Sequence, residues 1–148
     1  MKISNPAIGD IEFDKDQILM FPEGMLGMPS YKNYLLLQSA DIAPFLRLQC
    51  IDKPDLSFLL VDPAFIDPQY RAYVEKADVN HMYIQAGDEN SVVLVVCKIA
   101  KEGTDITANL VAPVVINHTD MRGAQLVLLD SPYNVRHSLA EVSERTEA

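Results

Sequence analysis

Few residues in this chain have the types needed for acid–base or nucleophilic chemistry. Its three histidines are His81, His118 and His137. His118 lies near Asp120, and His137 follows Asp130 and Ser131, so a hydroxyl, a carboxylate and an imidazole can be assembled into a hydrolytic triad on paper. Neither grouping comes with a nucleophile elbow or a glycine-rich oxyanion turn. No two histidines show the three- or four-residue spacing of a metal-binding helix. The pattern predicts surface or turn histidines and no catalytic residue, metal ligand or cofactor.

Carboxylates give the same answer. Asp10 and Glu12 fall on one face of an expected strand, and Asp14 and Asp16 carry the series into a turn. General acid–base work needs a carboxyl group with a raised pKa inside a cleft, which an alternating exposed series does not supply. Such a stripe is a solvated strand face or a surface for a basic partner. Cys50 and Cys97 sit apart inside apolar strand patterns, with neither zinc spacing nor a disulfide framework, and are expected to be buried reduced thiols. The best candidate for an interaction site is the turn Phe21-Pro-Glu-Gly-Met-Leu-Gly-Met-Pro29. Met25, Leu26 and Met28 lie there beside two glycines, bracketed by Phe21 and Tyr31. Methionine adapts to varied partner surfaces; the alternative is that these side chains plug the end of a barrel.

The elements that position these residues read as strands. Turn signals recur at short intervals along 148 residues, which predicts one all-β domain: small, antiparallel and barrel-like, with a minor helix. Phe45 to Ile51 and Leu56 to Val61 form the clearest hairpin, turned by Asp52-Lys-Pro-Asp55. Leu46, Leu48 and Cys50 share one face, and Arg47 and Gln49 share the other. Ile11 to Phe13, Gln17 to Phe21 and Asn33 to Gln38 supply earlier strands. Ser91 to Ile99 is apolar on both faces until Lys98 and belongs in the sheet centre. Thr104 to Leu110, Val114 to Asn117, Ala124 to Leu129 and Asn134 to Leu139 follow. A helix can start at Asp67-Pro68, with Tyr70, Tyr73, Val74 and Ala77 at helical spacing. Tyrosine and valine prefer strands, however, so the reading taken is an extended Tyr70 to Val74 and a helix from Glu75 to Met82.

Thr107-Ala-Asn-Leu-Val-Ala-Pro-Val-Val-Ile-Asn117 would be a plain buried strand but for Pro113, which removes a ladder donor. The break predicts a strand passing from one sheet to another. Asn109 and Asn117 are expected to bond the backbone groups that the break leaves unpaired.

A net charge of −9 disfavours direct nucleic-acid binding, which needs a basic patch, and suits attraction of a basic protein. The polar tail, residues 140–148, holds three Glu and one Arg and so accounts for −2; it is expected to fray. No apolar signal segment follows Met1-Lys-Ile-Ser, and no apolar run approaches membrane-spanning length. The expected compartment is therefore the cytoplasm, without membrane association.

Several segments resemble the FliW family of bacterial flagellar assembly factors. They are Phe21-Pro-Glu-Gly-Met-Leu-Gly27, Leu48-Gln-Cys-Ile-Asp52, Phe58-Leu-Leu-Val-Asp-Pro63, residues Thr107 to Asn117, Gly123-Ala-Gln-Leu-Val-Leu128 and Tyr133-Asn-Val-Arg-His137. They occur in family order and spacing over residues 1–139. Cys50 replaces a more usual serine, and Met28 replaces a more usual aromatic. The resemblance implies a non-enzymatic domain in which Asn109, Pro113, Asn117 and Gly123 belong to the motifs that build the barrel. It implies binding to the translational regulator CsrA, which relieves repression of flagellin messenger RNA, and binding to flagellin, which titrates the protein away from CsrA. Asp10, Glu12, Phe21, Met25, Leu26, Met28 and Tyr31 are the partner-binding candidates. The rival from another class is a barrel holding a small ligand in its lumen, which requires an apolar pocket instead of a filled interior.

Overall fold

The computed structural model describes residues 1–76, 84, 88–99, 105–128, 132–133 and 137–138. Strands dominate: β1 Lys2–Asn5, β2 Gly9–Glu12, β3 Leu19–Met20, β4 Asn33–Gln38, β5 Leu46–Cys50 and β6 Ser57–Val61 precede the helix α1 Tyr70–Lys76. The strands β7 Ser91–Ile99, β8 Ile106–Ala108, β9 Val114–Asn117, β10 Arg122–Gln125 and β11 His137–Ser138 follow it. β1 and β2 form a separate hairpin. The other nine strands make one sheet in the order β11-β8-β7-β6-β5-β4-β3-β10-β9, and β7 pairs with β9 to close a ring. All of these ladders are antiparallel except β3 against β10.

β7 sits centrally, as its two apolar faces require. One face contributes Leu94 to the ring interior with Phe21, Tyr34, Leu48, Leu60 and Ile116. The other contributes Val93, Val95 and Cys97 to a second core that α1 covers with Tyr70 and Val74. The β5–β6 hairpin has the expected register, with Leu48 opposite Phe58 and Leu46 opposite Leu60.

The helix does not lie where the sequence reading put it. It spans Tyr70–Lys76, and residues 77–83 lie outside the described set. The cause is local. Asp67 Oδ1 accepts the Gln69 N–H at 2.9 Å, and the Asp67 carbonyl accepts that of Tyr70 at 3.1 Å, which starts a turn around Pro68. Tyr70 and Val74, four residues apart, then share one buried face, and that burial outweighs their preference for strands.

The break at Pro113 is a large bulge within one sheet and not the expected passage between two sheets, because β8 and β9 both pair with β7. Ala108 pairs with Cys97 and Val114 pairs with Leu94, so the five residues 109–113 stand opposite only Val95 and Val96. The surplus strand swings off β7 yet stays in register with the strand beyond. The β9–β10 pairing continues as Leu126 and Leu128 donate to the carbonyls of Pro113 and Val111, both at 2.8 Å. Proline is tolerated at position 113 because that ladder asks it only for a carbonyl.

The freed backbone groups are then satisfied one by one, as burial demands. Asn109 donates its own N–H to Val96, and its Oδ1 accepts from the N–H groups of Val111 (3.0 Å) and Ala112 (3.2 Å). The Leu110 carbonyl accepts from the Tyr70 hydroxyl at 2.7 Å, and the Ala112 carbonyl accepts from Gln125 Nε2 at 3.2 Å. Asn117 behaves differently from expectation. Its Oδ1 accepts from Thr119 (2.9 Å) and Asp120 (3.0 Å), so it holds the β9–β10 turn and not the proline break. The reason is directional: the chain past Ile116 is already paired on both sides, and the next unpaired N–H groups lie ahead of Asn117.

Gln49 is the polar surprise. It lies on the outer face of β5 yet is fully buried, because the β1–β2 hairpin covers it. Asn5 donates its Nδ2 to Gln49 Oε1 at 2.7 Å and accepts the Ala7 N–H on Oδ1 at 2.7 Å. Gln49 Nε2 in turn donates to the carbonyls of Cys50 (2.9 Å) and Pro54 (2.7 Å). One amide pair therefore locks the β1–β2 turn onto the β5–β6 turn.

Two stability outcomes follow from these amides. Both Asn109 side-chain bonds use an acceptor oxygen. Asn109→Ala should therefore lower the unfolding free energy by about 1–3 kcal/mol, while Asn109→Asp, which keeps the acceptor, should lie close to wild type. Gln49→Ala strands buried partners on two turns and should cost about 1–3 kcal/mol as well. Urea denaturation measures all three; equal losses for the two Asn109 variants would refute the acceptor account.

Candidate protein-binding site

At the end of the ring where β7 reaches Lys98, the inner face of the sheet is only partly covered. A groove of about 330 Å³ opens there between the strand ends and the 21–29 turn. Strand register builds its floor. Lys98 pairs with Thr107, while Val96, two residues back on the same face, lies beside Asn109, whose N–H it accepts at 2.8 Å. β6 contributes Phe58 alongside. The wall opposite is the turn itself, with Met25, Leu26 and Met28, and Gln125 stands at the junction.

Gln125 fixes that wall. Its Oε1 accepts the Leu26 N–H at 2.9 Å while its Nε2 holds Ala112, so one side chain ties the methionine turn to the bulge. The turn itself depends on Gly24 at φ +66°, where a Cβ would strike the Met28 carbonyl and crowd Pro29. This bend folds Met25 inward and leaves Leu26, at 52% exposure, facing outward.

The structure therefore divides the residues singled out from sequence. Phe21 is wholly buried in the ring interior, and Met25 is nearly so, reaching the groove only at the base of its wall. Phe21 fits because β10 has Gly123 beneath its ring, where any Cβ would collide with the aromatic carbons. It also packs edge-on against Tyr34, with centroids 5.0 Å apart. Both side chains fill the ring interior, where apolar burial holds them. Leu26 and the half-buried Met28 remain available in the groove. Tyr31 is half-buried, with Lys53 Nζ 5.9 Å from its ring centroid.

Asp10 and Glu12 are exposed on the β1–β2 hairpin and do not line the groove. Lys2 Nζ lies 3.6 Å from Asp10 Oδ2, a surface pair that contributes little to stability. Asp14, Lys15 and Asp16 follow, all exposed, so the hairpin and the turn after it present four carboxylates against two lysines.

Sequence reasoning missed Phe58, Val96, Lys98, Thr107 and Gln125 as groove residues. The signal was present in the strand period: Val96 and Lys98, like Thr107 and Asn109, stand two apart, and Lys98 is the point where apolar character stops on β7.

The ring interior is filled by side chains such as Tyr34, Leu48 and Leu60, so the groove lies at its mouth and not in a lumen. His118 is exposed, and Asp130, Ser131 and His81 lie outside the described residues, as does the side chain of His137. Cys50 and Cys97 are buried and unpaired with each other. Burial pushes the Cys97 thiol up to about 11 and raises that of Cys50 too, which disfavours the reactive thiolate. Among the described residues no cluster of His, Cys, Asp or Glu could hold a metal ion, and no helix is long and apolar enough to cross a membrane.

The chain resembles known proteins along nearly its whole length. The family model "FliW protein" matches residues 2–139. A flagellar assembly factor FliW from Heliobacterium modesticaldum is 35% identical over 150 aligned positions, covering 100% of this chain and 96% of that protein. Another from Natranaerobius thermophilus is 34% identical over 140, covering 94% and 92%. A crystal structure of the flagellar assembly factor FliW superposes with a TM-score of 0.81 at 32% identity, covering 94% of this chain and 96% of that one. The chain belongs to the FliW family.

Proposed function

We propose that this protein is a cytoplasmic flagellar assembly factor that works by binding proteins and not by catalysis. It binds the translational regulator CsrA, which frees flagellin messenger RNA from repression, and it binds flagellin, which titrates it away from CsrA. The observation that carries this reading is the family match over residues 2–139, with relatives named flagellar assembly factors aligned over nearly their full length.

The physical properties of the chain support protein binding. A protein that handles RNA presents positive charge, and this chain carries −9, with Asp10, Glu12, Asp14 and Asp16 exposed together at the β1–β2 hairpin. Because Gln49 and Asn5 lock that hairpin to the barrel, its carboxylates form a fixed array instead of a mobile tail. A preorganised charged surface loses less entropy on docking.

The test is the rate at which the purified protein associates with CsrA. Raising salt from about 50 to about 500 mM shortens the screening length about threefold and should slow association, with dissociation changed less. The double reversal Asp10→Lys/Glu12→Lys should mimic high salt in low-salt buffer. An association rate indifferent to both would remove the electrostatic part of the proposal. Absence of any binding by the folded protein would remove CsrA as a partner.

A further inference from the structure

The groove beside Lys98 is chemically the opposite of the acidic hairpin. Its floor and wall are apolar: Phe58, Val96, Leu26 and Met28. Its polar edge consists of donors. Lys98 is exposed and makes no ion pair with any described residue. Thr107 stands directly across the ladder from it, and its hydroxyl has no hydrogen-bond partner among the described residues. Asn109 uses Oδ1 on the bulge, which points the amide's other end, the Nδ2 donor, away from that loop, with no partner among the described residues. Among the described residues that line the groove, Lys98 is the only ionisable one, on a chain with a large net negative charge.

Such a lining selects its occupant. A basic segment would meet Lys98 and leave the Lys98 and Asn109 donors unanswered, since only the Thr107 hydroxyl can also accept. A purely apolar segment would desolvate them without compensation. An apolar segment carrying a carboxylate satisfies both requirements: its side chain covers Phe58, Val96 and Met28, and its acid accepts from Lys98, Thr107 and Asn109. We propose that this groove docks an apolar, carboxylate-bearing segment of a protein partner, and that the partner is flagellin and not CsrA. The second clause rests on the function proposed above. Of its two partners, the RNA-handling one must present positive charge, which suits the acidic hairpin and is rejected by Lys98. The groove then belongs to the other, and the protein has two separate docking surfaces of opposite sign.

The test uses the full chain with purified flagellin monomer and purified CsrA as separate probes. The variants are Lys98→Glu, Asn109→Asp and Leu26→Ser, with Lys15→Glu as a control that alters net charge equally but lies on the acidic hairpin side. Asn109→Asp keeps the acceptor that the bulge needs while placing a carboxylate where a donor stood, so its effect on binding is separable from folding, and thermal unfolding verifies this. The three groove variants should each weaken flagellin binding, Lys98→Glu by roughly tenfold or more, and leave CsrA binding within about twofold. Lys15→Glu should leave flagellin binding unchanged.

Groove variants that bind flagellin as tightly as wild type would overturn the assignment, as would equal losses for both partners. Decanoate that perturbs the Thr107 and Asn109 amide resonances when flagellin does not would give the groove to a small apolar acid. Self-association that depends on Lys98, with flagellin binding unchanged, would give it to a second copy. A wild-type protein that fails to bind flagellin would overturn the proposed function along with this one, a result distinct from the rest.

Discussion

The structure depends on one mismatch: five residues of the 106–117 strand lie where β7 can pair two. Backbone N–H and C=O groups inside a core must be paired, so three surplus residues require a full set of substitute partners. These come from within the bulge and from two distant parts of the chain. Asn109 closes the loop on itself, Tyr70 brings α1 onto the Leu110 carbonyl, and Gln125 takes the Ala112 carbonyl. Ring closure, helix docking and the position of the methionine turn are thus tied to the same few backbone atoms.

The groove is a by-product of this arrangement. The bulge carries the chain away from β7 towards the strand that follows β10, while β8 continues along β7 to Lys98 and Ile99. Among the described residues, the 21–29 turn, which Gln125 tethers at Leu26, covers the inner face of β6, β7 and β8 at this end. That wall carries Leu26 and Met28, while Met25 and Phe21 anchor it from within. Within that turn Phe21 and Met25 are buried, while Leu26 is exposed and Met28 half-buried.

Patterns of period two were legible in the sequence wherever one face was plainly apolar. The β5–β6 hairpin, the central place of β7 and the strand break at Pro113 all follow from alternation and proline chemistry. What was not legible depended on contacts between remote segments. α1 begins at Tyr70 because Asp67 and Pro68 start it and because Tyr70 finds Leu110, forty residues away. Phe21 lies inside because Gly123 leaves room for its ring. Gln49 reads as an exposed polar residue and is buried because Asn5 meets it from another sheet. Asn117 illustrates a limit within one segment. Its residue type signalled a backbone cap correctly, but the direction of capping depends on which neighbouring N–H groups the ladders have already used.

Asn109 joins the architecture to the surface. An amide has one acceptor and one donor end, and the bulge consumes the acceptor by offering two N–H groups to it. The donor end must then face away from that loop, towards the groove that Thr107 and Lys98 also line. The requirement for closing the ring therefore sets the sign of the polar edge: donors, with a lysine, on a chain whose hairpin at β1–β2 is rich in carboxylates. The direction of the Asn109 donor is thus a direct consequence of where the backbone needed an acceptor.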